Sequence, residues 1–263
     1  MIDVDGTGQR QLTDFPHGMV QEPVWSPEGS SIGFARIVGA QFTSLYVIGA
    51  DGTGLRQLTR PEAAGDSQPQ WSPDGSRLVF IRFRFSPVDE DGYRDVVVVN
   101  VDGSGEQQLT DQAFASRAEW APDGATIAFG IDSGAQFVIT VARADGSAAG
   151  ILPGNGVEPT WSPDGGQVAY LGFDDQPGRP LYASGPDGSG FRQVARAAGL
   201  GGRKAQNHLD WSADAAHLLY HDGQNLFVVD ADGGQPQHIA TAGANVSDAF
   251  FSPGVVLRLS GPS

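Results

Sequence analysis

The chain has 263 residues, a formal net charge of −15 and no cysteine. The acidic balance excludes a nucleic-acid-binding surface, because such a surface needs clustered Lys and Arg side chains. Without cysteine, the chain forms no disulfide and has no thiol nucleophile. No run of about 18 apolar residues is present, so the sequence predicts no membrane-spanning segment.

A Trp-Ser-Pro-Asp-Gly turn recurs along the whole chain and decays in its last two copies. The aromatic residues that anchor the six copies are Trp25, Trp71, Trp120, Trp161, Trp211 and Phe251. Their mean spacing is about 45 residues, which is the length of one four-stranded propeller blade. The repeats therefore predict a β-propeller.

Each repeat carries the same landmarks in the same order. A strand ends at the anchor, two apolar runs follow, an Asp-Gly pair comes next, and a Gln-Leu-Thr segment closes the intact units. In the first complete repeat these landmarks are Trp25, 32–34, 45–48, Asp51–Gly52 and 57–59. Short β-branched and aromatic runs between Gly, Pro and Asp turns predict antiparallel strands, and the chain is expected to be all-β.

The turn residues have definite expected roles. In Ser-Pro-Asp-Gly, Pro presets φ, Ser accepts a backbone N–H, and Gly takes the last position. The Asp-Gly pairs predict type I′ hairpin turns, which need positive φ at both central residues. The Trp rings are expected to wedge between adjacent blades, each burial contributing roughly 1.5–3 kcal/mol.

The two ends of the chain look like parts of one blade. Residues 1–6 match the end of a third strand with its turn, Gln11–Thr13 matches a fourth strand, and Ala249–Ser260 supplies the first two. Pairing them would close the ring and remove its sheet edges. We therefore predict a single domain over residues 1–263, a six-bladed β-propeller of four-stranded antiparallel blades.

The combined pattern, from Trp-Ser-Pro-Asp-Gly to Gln-Leu-Thr, resembles the propeller repeat of the TolB family over essentially the whole chain. The resemblance implies a non-catalytic scaffold that binds a protein or peptide partner and needs no cofactor. It also favours a periplasmic or other extracytoplasmic location, although no signal peptide is visible in these residues. The same repeat occurs in propellers attached to prolyl-oligopeptidase-type hydrolases, so a regulatory propeller cut from such an enzyme is the alternative.

The variable loops point to one end of the blades. The Ser-Pro-Asp-Gly and Asp-Gly turns share one face and are uniform in length. On the other face, blade two has about five extra residues within 83–94, and the loop before Trp211 is the longest. Binding usually resides in variable loops on a rigid scaffold, so we expect the partner on this second face.

A polar position precedes each anchor by three residues, on the side opposite the packed Trp if the strand alternates regularly. These candidate binding residues are Glu22, Gln68, Arg117, Glu158, His208 and Asp248. They would form a polar ring at the mouth of the propeller channel, able to receive a peptide end or a polar ligand. The alternative is that they only bond neighbouring blades or channel water.

Weaker candidates lie in two loops. Arg203 and Lys204 lie in a glycine-rich loop that either captures an anionic group or is simply solvated. The acidic run Asp89–Asp91, with Asp95, lacks the spacing and final Glu of a calcium loop, so no metal site is expected.

Enzymatic motifs are missing from the sequence. There is no Gly-x-Ser-x-Gly elbow and no His or Cys spacing typical of a metal site, so no catalytic residue is predicted. A glycan hydrolase or lyase using Glu22 and Glu158 as paired carboxylates is the least favoured alternative. We expect a monomer that binds a protein or peptide, does not bind nucleic acid and does not span a membrane.

Overall fold

The structure is a computed structural model that describes residues 7–38, 42–60, 64–85, 92–147, 149–197, 209–221 and 225–239. These residues form strands, turns and irregular segments, which confirms the all-β prediction. They contain no helix, and hence no apolar helix long enough to cross a membrane.

The described residues form twenty strands in chain order. The first ten are β1 (Val20–Trp25), β2 (Ser31–Val38), β3 (Phe42–Gly49), β4 (Arg56–Gln57), β5 (Ala64–Trp71), β6 (Arg77–Arg84), β7 (Tyr93–Asn100), β8 (Gln107–Gln108), β9 (Ala115–Trp120) and β10 (Thr126–Asp132). The others are β11 (Phe137–Arg143), β12 (Gly150–Ile151), β13 (Gly156–Trp161), β14 (Val168–Gly172), β15 (Arg179–Ser184), β16 (Arg192–Ala197), β17 (Leu209–Trp211), β18 (His217–His221), β19 (Leu226–Asp230) and β20 (Gln237–Ile239).

Each set of four consecutive strands forms one antiparallel sheet, here called blades 1 to 5 in chain order. The five sheets give a propeller-like fold, and each anchor Trp ends the first strand of its blade as predicted. The predicted C-terminal part of a sixth blade, residues 249–260, lies outside the described residues.

The predicted strand at Gln11–Thr13 is not a strand in the structure. Its local geometry still matches the other Gln-Leu-Thr segments, because Gln11 Nε2 donates to Thr13 O at 2.7 Å, as Gln57 Nε2 does to Thr59 O at 2.9 Å. A strand is defined by its ladder partner, and the partner predicted for this segment, residues 1–6, lies outside the described residues.

The middle strands of the blades are buried on both faces. Val96 to Val99 of β7 are all at most 3% exposed, and β3 and β11 have similar buried runs. A strand covered on both faces reads as a continuous apolar run rather than an alternating one. This is why the sequence shows Val-Val-Val-Val where an exposed sheet would alternate.

The anchor Trp rings pack against the preceding blade. Trp71 lies against Ala35, Leu45 and Val47 of blade 1, and its indole N–H donates to Val24 O at 3.1 Å. Trp211 repeats this in blade 5, donating to Thr160 O at 3.2 Å. In both cases the acceptor is the residue just before the preceding anchor, so the indole fixes the spacing of neighbouring blades.

The Ser-Pro-Asp-Gly turns have the predicted chemistry. The Ser72 hydroxyl accepts the Arg77 N–H at 2.9 Å and donates to Asp74 Oδ1 at 2.6 Å, while Gly75 N–H donates to Ser72 O at 2.9 Å. Gly75 has a φ of 68°. The hydroxyl thus spans the turn and holds its carboxylate.

The Asp-Gly turns differ from the prediction. In the first of them Gly52 has a φ of 89°, but Asp51 is not in the positive-φ region. A type I′ turn is therefore wrong here. Gly52 N–H donates to Gly49 O, and Asp51 Oδ1 accepts the Thr53 N–H at 2.8 Å. The Asp side chain replaces a backbone acceptor, so only the glycine needs the left-handed conformation.

The chain divides into two compact units. One comprises residues 1–120 with 144–146, and the other comprises residues 121–143 with 147–263. Each unit has its own apolar core: Trp71 and Phe80 lie in the first, and Trp161, Trp211 and Tyr220 lie in the second.

Candidate functional site

The first strand of several blades is interrupted by a β-bulge three residues before the anchor Trp. Its ladder register shifts between Gln21 and Val24, between Ser67 and Gln70, and between Val157 and Thr160. Glu22, Gln68 and Glu158 occupy these bulge positions. These three candidates and Arg117 have positive φ: Glu22 (53°), Gln68 (54°), Arg117 (27°) and Glu158 (58°). Such conformations cost about 1–2 kcal/mol per residue and cluster at functional sites.

The bulge separates accessible side chains from packed ones. Glu22 and Gln68 are exposed, and Arg117 and Glu158 are half-buried. The residues that follow them in blades 2 to 4 are buried, namely Pro69, Ala118 and Pro159. The separation resembles the predicted alternation, but its physical cause is a bulge and not an uninterrupted strand.

Contacts among the candidates differ within the first unit. Glu22 Oε2 accepts the backbone N–H of Gln68 at 2.6 Å, which links blades 1 and 2. Arg117 Nη2 lies 3.7 Å from Glu119 Oε2 on the same strand. Glu22 and Gln68 are thus brought together, and Arg117 has a carboxylate beside it.

Four predicted site residues, His208, Asp248, Arg203 and Lys204, lie outside the described residues, as does the acidic run 89–91. Asp95 is described and is fully buried. Its Oδ1 accepts from the Thr110 hydroxyl at 3.0 Å and from the Ala113 N–H at 3.2 Å. Asp95 therefore holds the chain that follows β8 against β7.

A buried ion pair in blade 2 was not predicted from the sequence. Arg82 is 8% exposed and binds Asp66 through two bonds, Nε to Oδ1 at 2.7 Å and Nη2 to Oδ2 at 3.1 Å. Arg82 also binds both carboxylate oxygens of Glu106. Burial raises the pKa of Asp66, and the hydrogen bond and charge of Arg82 oppose that rise. The carboxylates of Asp66 and Glu106 therefore compensate the positive charge of Arg82.

A second buried arginine, Arg179, lies in the second unit at the start of β15. Its Nε donates to Gly172 O at 3.1 Å and its Nη2 to Leu171 O at 3.3 Å, and the guanidinium covers the Phe173 ring at 4.1 Å. Burial lowers the pKa of Arg179 to about 10, and the charge of Glu158 opposes that shift. Sequence reasoning missed this residue, because nothing in Pro-Gly-Arg-Pro signals its burial.

The surroundings of Arg179 are aromatic and charged. Phe173 pairs with Phe137 at 5.1 Å between ring centroids, and both rings are half-buried. Asp174 forms an ion pair with Arg196, which lowers the pKa of Asp174 through the bond to that guanidinium. Arg179 and the aromatic pair thus lie together, with Phe137 at the start of β11 in blade 3 and Phe173 between β14 and β15 in blade 4.

An apolar groove lies beside Trp25 in the first unit. Trp25 is 52% exposed, whereas the other four Trp residues are at most 9% exposed. The groove has a volume of about 540 Å³ and is lined by residues that include Leu12, Val20, Pro23 and Phe34. Trp25 has the same position in blade 1 as Trp71 has in blade 2, so the groove lies on the equivalent face of its blade.

Metal-binding clusters are missing from the part of the chain that the structure describes: it holds no group of three or more His, Asp or Glu side chains placed to bind an ion.

Comparison with protein families identifies the repeat. The family model described as the TolB beta propeller domain matches residues 1–153. The chain belongs to the TolB β-propeller domain family. A curated relative, the Tol-Pal system protein TolB of Alcanivorax borkumensis, is 40% identical over 63 residues, which is 24% of this chain and 13% of the relative.

Solved structures share the fold of this family member. TolB from Acinetobacter baumannii has a TM-score of 0.63 at 16% identity, covering 88% of this chain and 56% of its own. Oligogalacturonate lyase from Vibrio parahaemolyticus has a TM-score of 0.70 at 16% identity, and the match covers 90% of this chain and 69% of the lyase. A puromycin-hydrolyzing peptidase of Mycobacterium tuberculosis has a TM-score of 0.59 at 16% identity, and the match covers 84% of this chain and 38% of the peptidase. At these identities the likeness is one of fold, and the chain spans about half of the TolB structure.

Proposed function

We propose that this chain is a non-catalytic TolB-like binding scaffold that recognises a protein or peptide partner through its variable-loop face and the polar positions at a channel mouth. The observation that carries the proposal is the set of strained candidate residues. Glu22, Gln68, Arg117 and Glu158 have positive φ, and such strained conformations cluster at functional sites. An extracytoplasmic location accompanies this proposal.

The proposal includes a closed ring of six blades, formed with residues 240–263 and monomeric in solution. Support comes from the open groove beside Trp25, since every other anchor Trp is buried. In blades 2 and 5 the anchor indole donates to the residue before the preceding anchor.

A regulatory propeller of a peptidase is the second candidate. Its support is the likeness to the puromycin-hydrolyzing peptidase, of which the chain covers only 38%. A glycan lyase has weaker support, because the likeness to oligogalacturonate lyase is one of fold and the carboxylate of Glu22 already bonds the Gln68 N–H.

The test is affinity capture from a lysate of the source cells, followed by mass spectrometry. The baits are the wild-type chain and the double variant Arg117→Glu with Glu158→Arg, which reverses charge at two of the positive-φ positions. The matched control is Arg56→Glu, an exposed charge reversal beside the Asp-Gly turn at the opposite end of blade 1.

We expect a partner that the wild type and the Arg56→Glu control retain and that the double variant loses. If the double variant and the Arg56→Glu control both lose the partner, the loss is not specific to the candidate positions, which contradicts a site there. If all three folded baits retain the partner, the contact lies elsewhere, which also contradicts the site. Capture of no specific partner by folded wild type would favour the regulatory propeller of a larger enzyme.

A further inference from the structure

Arg179 is a buried cation without a bonded carboxylate. It is 5% exposed, and its guanidinium donates to the neutral carbonyl oxygens of Leu171 and Gly172. None of the ion pairs among the described residues includes it. Arg82, buried to a similar extent, is bound by two carboxylates. A buried charge normally requires such compensation.

One edge of the Arg179 guanidinium is left for a ligand. Nε and Nη2 bind backbone carbonyls, and the Phe173 ring covers one face. Nη1 makes no hydrogen bond to the described residues, and it is not completely enclosed by them. A guanidinium held rigidly in this way has little conformational entropy to lose when it binds a carboxylate.

An aromatic surface completes a receptor for a chain end. The Arg179 guanidinium covers the Phe173 ring at 4.1 Å from the ring centroid, and Phe173 pairs with Phe137 at 5.1 Å between centroids. Both rings are half-buried and offer an apolar surface beside the guanidinium.

We propose that this site, formed by Arg179 and Phe173 of blade 4 with Phe137 of blade 3, binds the C-terminal carboxylate of a peptide partner. Arg179 donates to the terminal carboxylate, and the Phe137–Phe173 pair contacts the apolar side chain of the last residue. The inference rests on the proposed partner-binding function and adds what the partner presents: a free C-terminus that ends in an apolar residue.

The test compares two random hexapeptide pools, identical except that one has free C-terminal carboxylates and the other has C-terminal amides. Each pool is passed over the immobilised full chain, and retained peptides are sequenced by mass spectrometry. We expect the free-acid pool to be retained at least about tenfold better, the range of one charge-assisted hydrogen bond. Retained peptides should end preferentially in apolar residues.

Two variants locate the effect. Arg179→Gln should abolish the preference for free acids, and Phe173→Leu should weaken the preference for apolar ends. Arg192→Gln is the matched control, since Arg192 bonds Gln167 Oε1 and Ala231 O elsewhere in this unit, and it should leave both preferences unchanged. Circular dichroism and thermal melting establish that each variant is folded, and the comparison of pools on the wild type needs no variant.

The outcomes separate this inference from the proposed function. Equal retention of acid and amide pools would overturn the carboxylate site while leaving peptide binding intact. Retention of neither pool, with partner capture from the lysate still sensitive to the Arg117→Glu with Glu158→Arg double variant, would overturn only this inference. Binding of free galacturonate that Arg179→Gln abolishes, with no peptide retained, would replace the peptide with a sugar acid.

Discussion

At the scale of single residues, the anchor turns show how a few side chains replace backbone bonds. Ser26, Ser72, Ser162 and Ser212 each accept a backbone N–H five residues ahead. Blade 3 has Ala121 at this position, and there Asp123 Oδ1 accepts the Thr126 N–H at 3.0 Å instead. The donor is satisfied either way, so the turn tolerates loss of the hydroxyl when its Asp can move.

The first prediction concerns Ser72 and Asp74. The Ser72 hydroxyl bond, followed by the Ser76 N–H, lowers the pKa of Asp74 from 3.8 to about 2. A folded-state pKa below the unfolded one gives stability that is complete above about pH 4 and lost as the pH falls towards 2. Ser72→Ala should lower the free energy of unfolding by about 1 kcal/mol at pH 7, and by less at pH 2.

Urea denaturation at the two pH values measures this effect, and an NMR titration of Asp74 measures the expected rise in its pKa. The double variant Ser72→Ala with Asp74→Ala serves as the control, because it removes both partners. An unchanged Asp74 pKa in Ser72→Ala would contradict the role given to the hydroxyl.

The second prediction concerns Ala215, which occupies the glycine position of the blade 5 turn with a φ of 56°. A non-glycine residue in this region costs about 1–2 kcal/mol, which exceeds the entropy that a glycine adds to the unfolded chain. Ala215→Gly should therefore raise the free energy of unfolding by about 0.5 kcal/mol in spite of slightly reduced packing. Thermal melting measures the change.

Ala216→Gly is the matched control for this substitution. Ala216 is the exposed neighbour and is not in the positive-φ region, so glycine there should destabilise the chain by roughly 0.5–1 kcal/mol. Equal effects of the two substitutions would mean that the backbone of Ala215 is unstrained.

At the scale of elements, the sequence predicted the strands well because the landmarks that define them are local. A Trp followed by Ser-Pro-Asp-Gly marks a strand end wherever it occurs, as at Trp71 and Trp161. The bulges were missed, since period-two patterning assumes an uninterrupted ladder and nothing in Glu-Pro or Gln-Pro signals a register shift. The burial of Arg82 and Arg179 was missed for a related reason: it depends on which blade faces each strand.

The third prediction tests the buried ion pair of blade 2. Asp66→Asn leaves Arg82 with Glu106 alone in a buried setting, and removing one partner of a buried pair typically costs 3–5 kcal/mol. Because Glu106 still compensates part of the charge, we expect a loss of about 3 kcal/mol in the free energy of unfolding. Urea denaturation at pH 7 measures it.

Asp174→Asn is the comparison, because it removes the more exposed pair with Arg196 and should cost less than about 1 kcal/mol. Adding Arg82→Met to Asp66→Asn should recover part of the loss, since no unpaired charge then remains buried. If Asp66→Asn and Asp174→Asn lower the free energy of unfolding equally, the burial of Arg82 has no energetic consequence for its pair with Asp66.

At the scale of the whole molecule, the open question is what covers the face of blade 1. An exposed Trp beside an apolar groove of about 540 Å³ is a costly feature for a chain whose other Trp rings are packed. The exposed ring and the groove favour the proposed sixth blade.

The fourth prediction tests this closure with a chain that ends at Ile239. Because the other four indoles are nearly buried, acrylamide quenching of the tryptophan fluorescence reports chiefly on Trp25. If residues 240–263 cover the groove, their removal should increase quenching and lower the melting temperature by several degrees. Deleting residues 1–13 should lower the melting temperature as well, because the same blade needs both ends of the chain.

The substitution Trp25→Phe in the shortened chain should remove the added quenching, which assigns the signal to that ring. Equal quenching and equal melting of the full and shortened chains would mean that the ring is open and that another molecule, or nothing, covers Trp25.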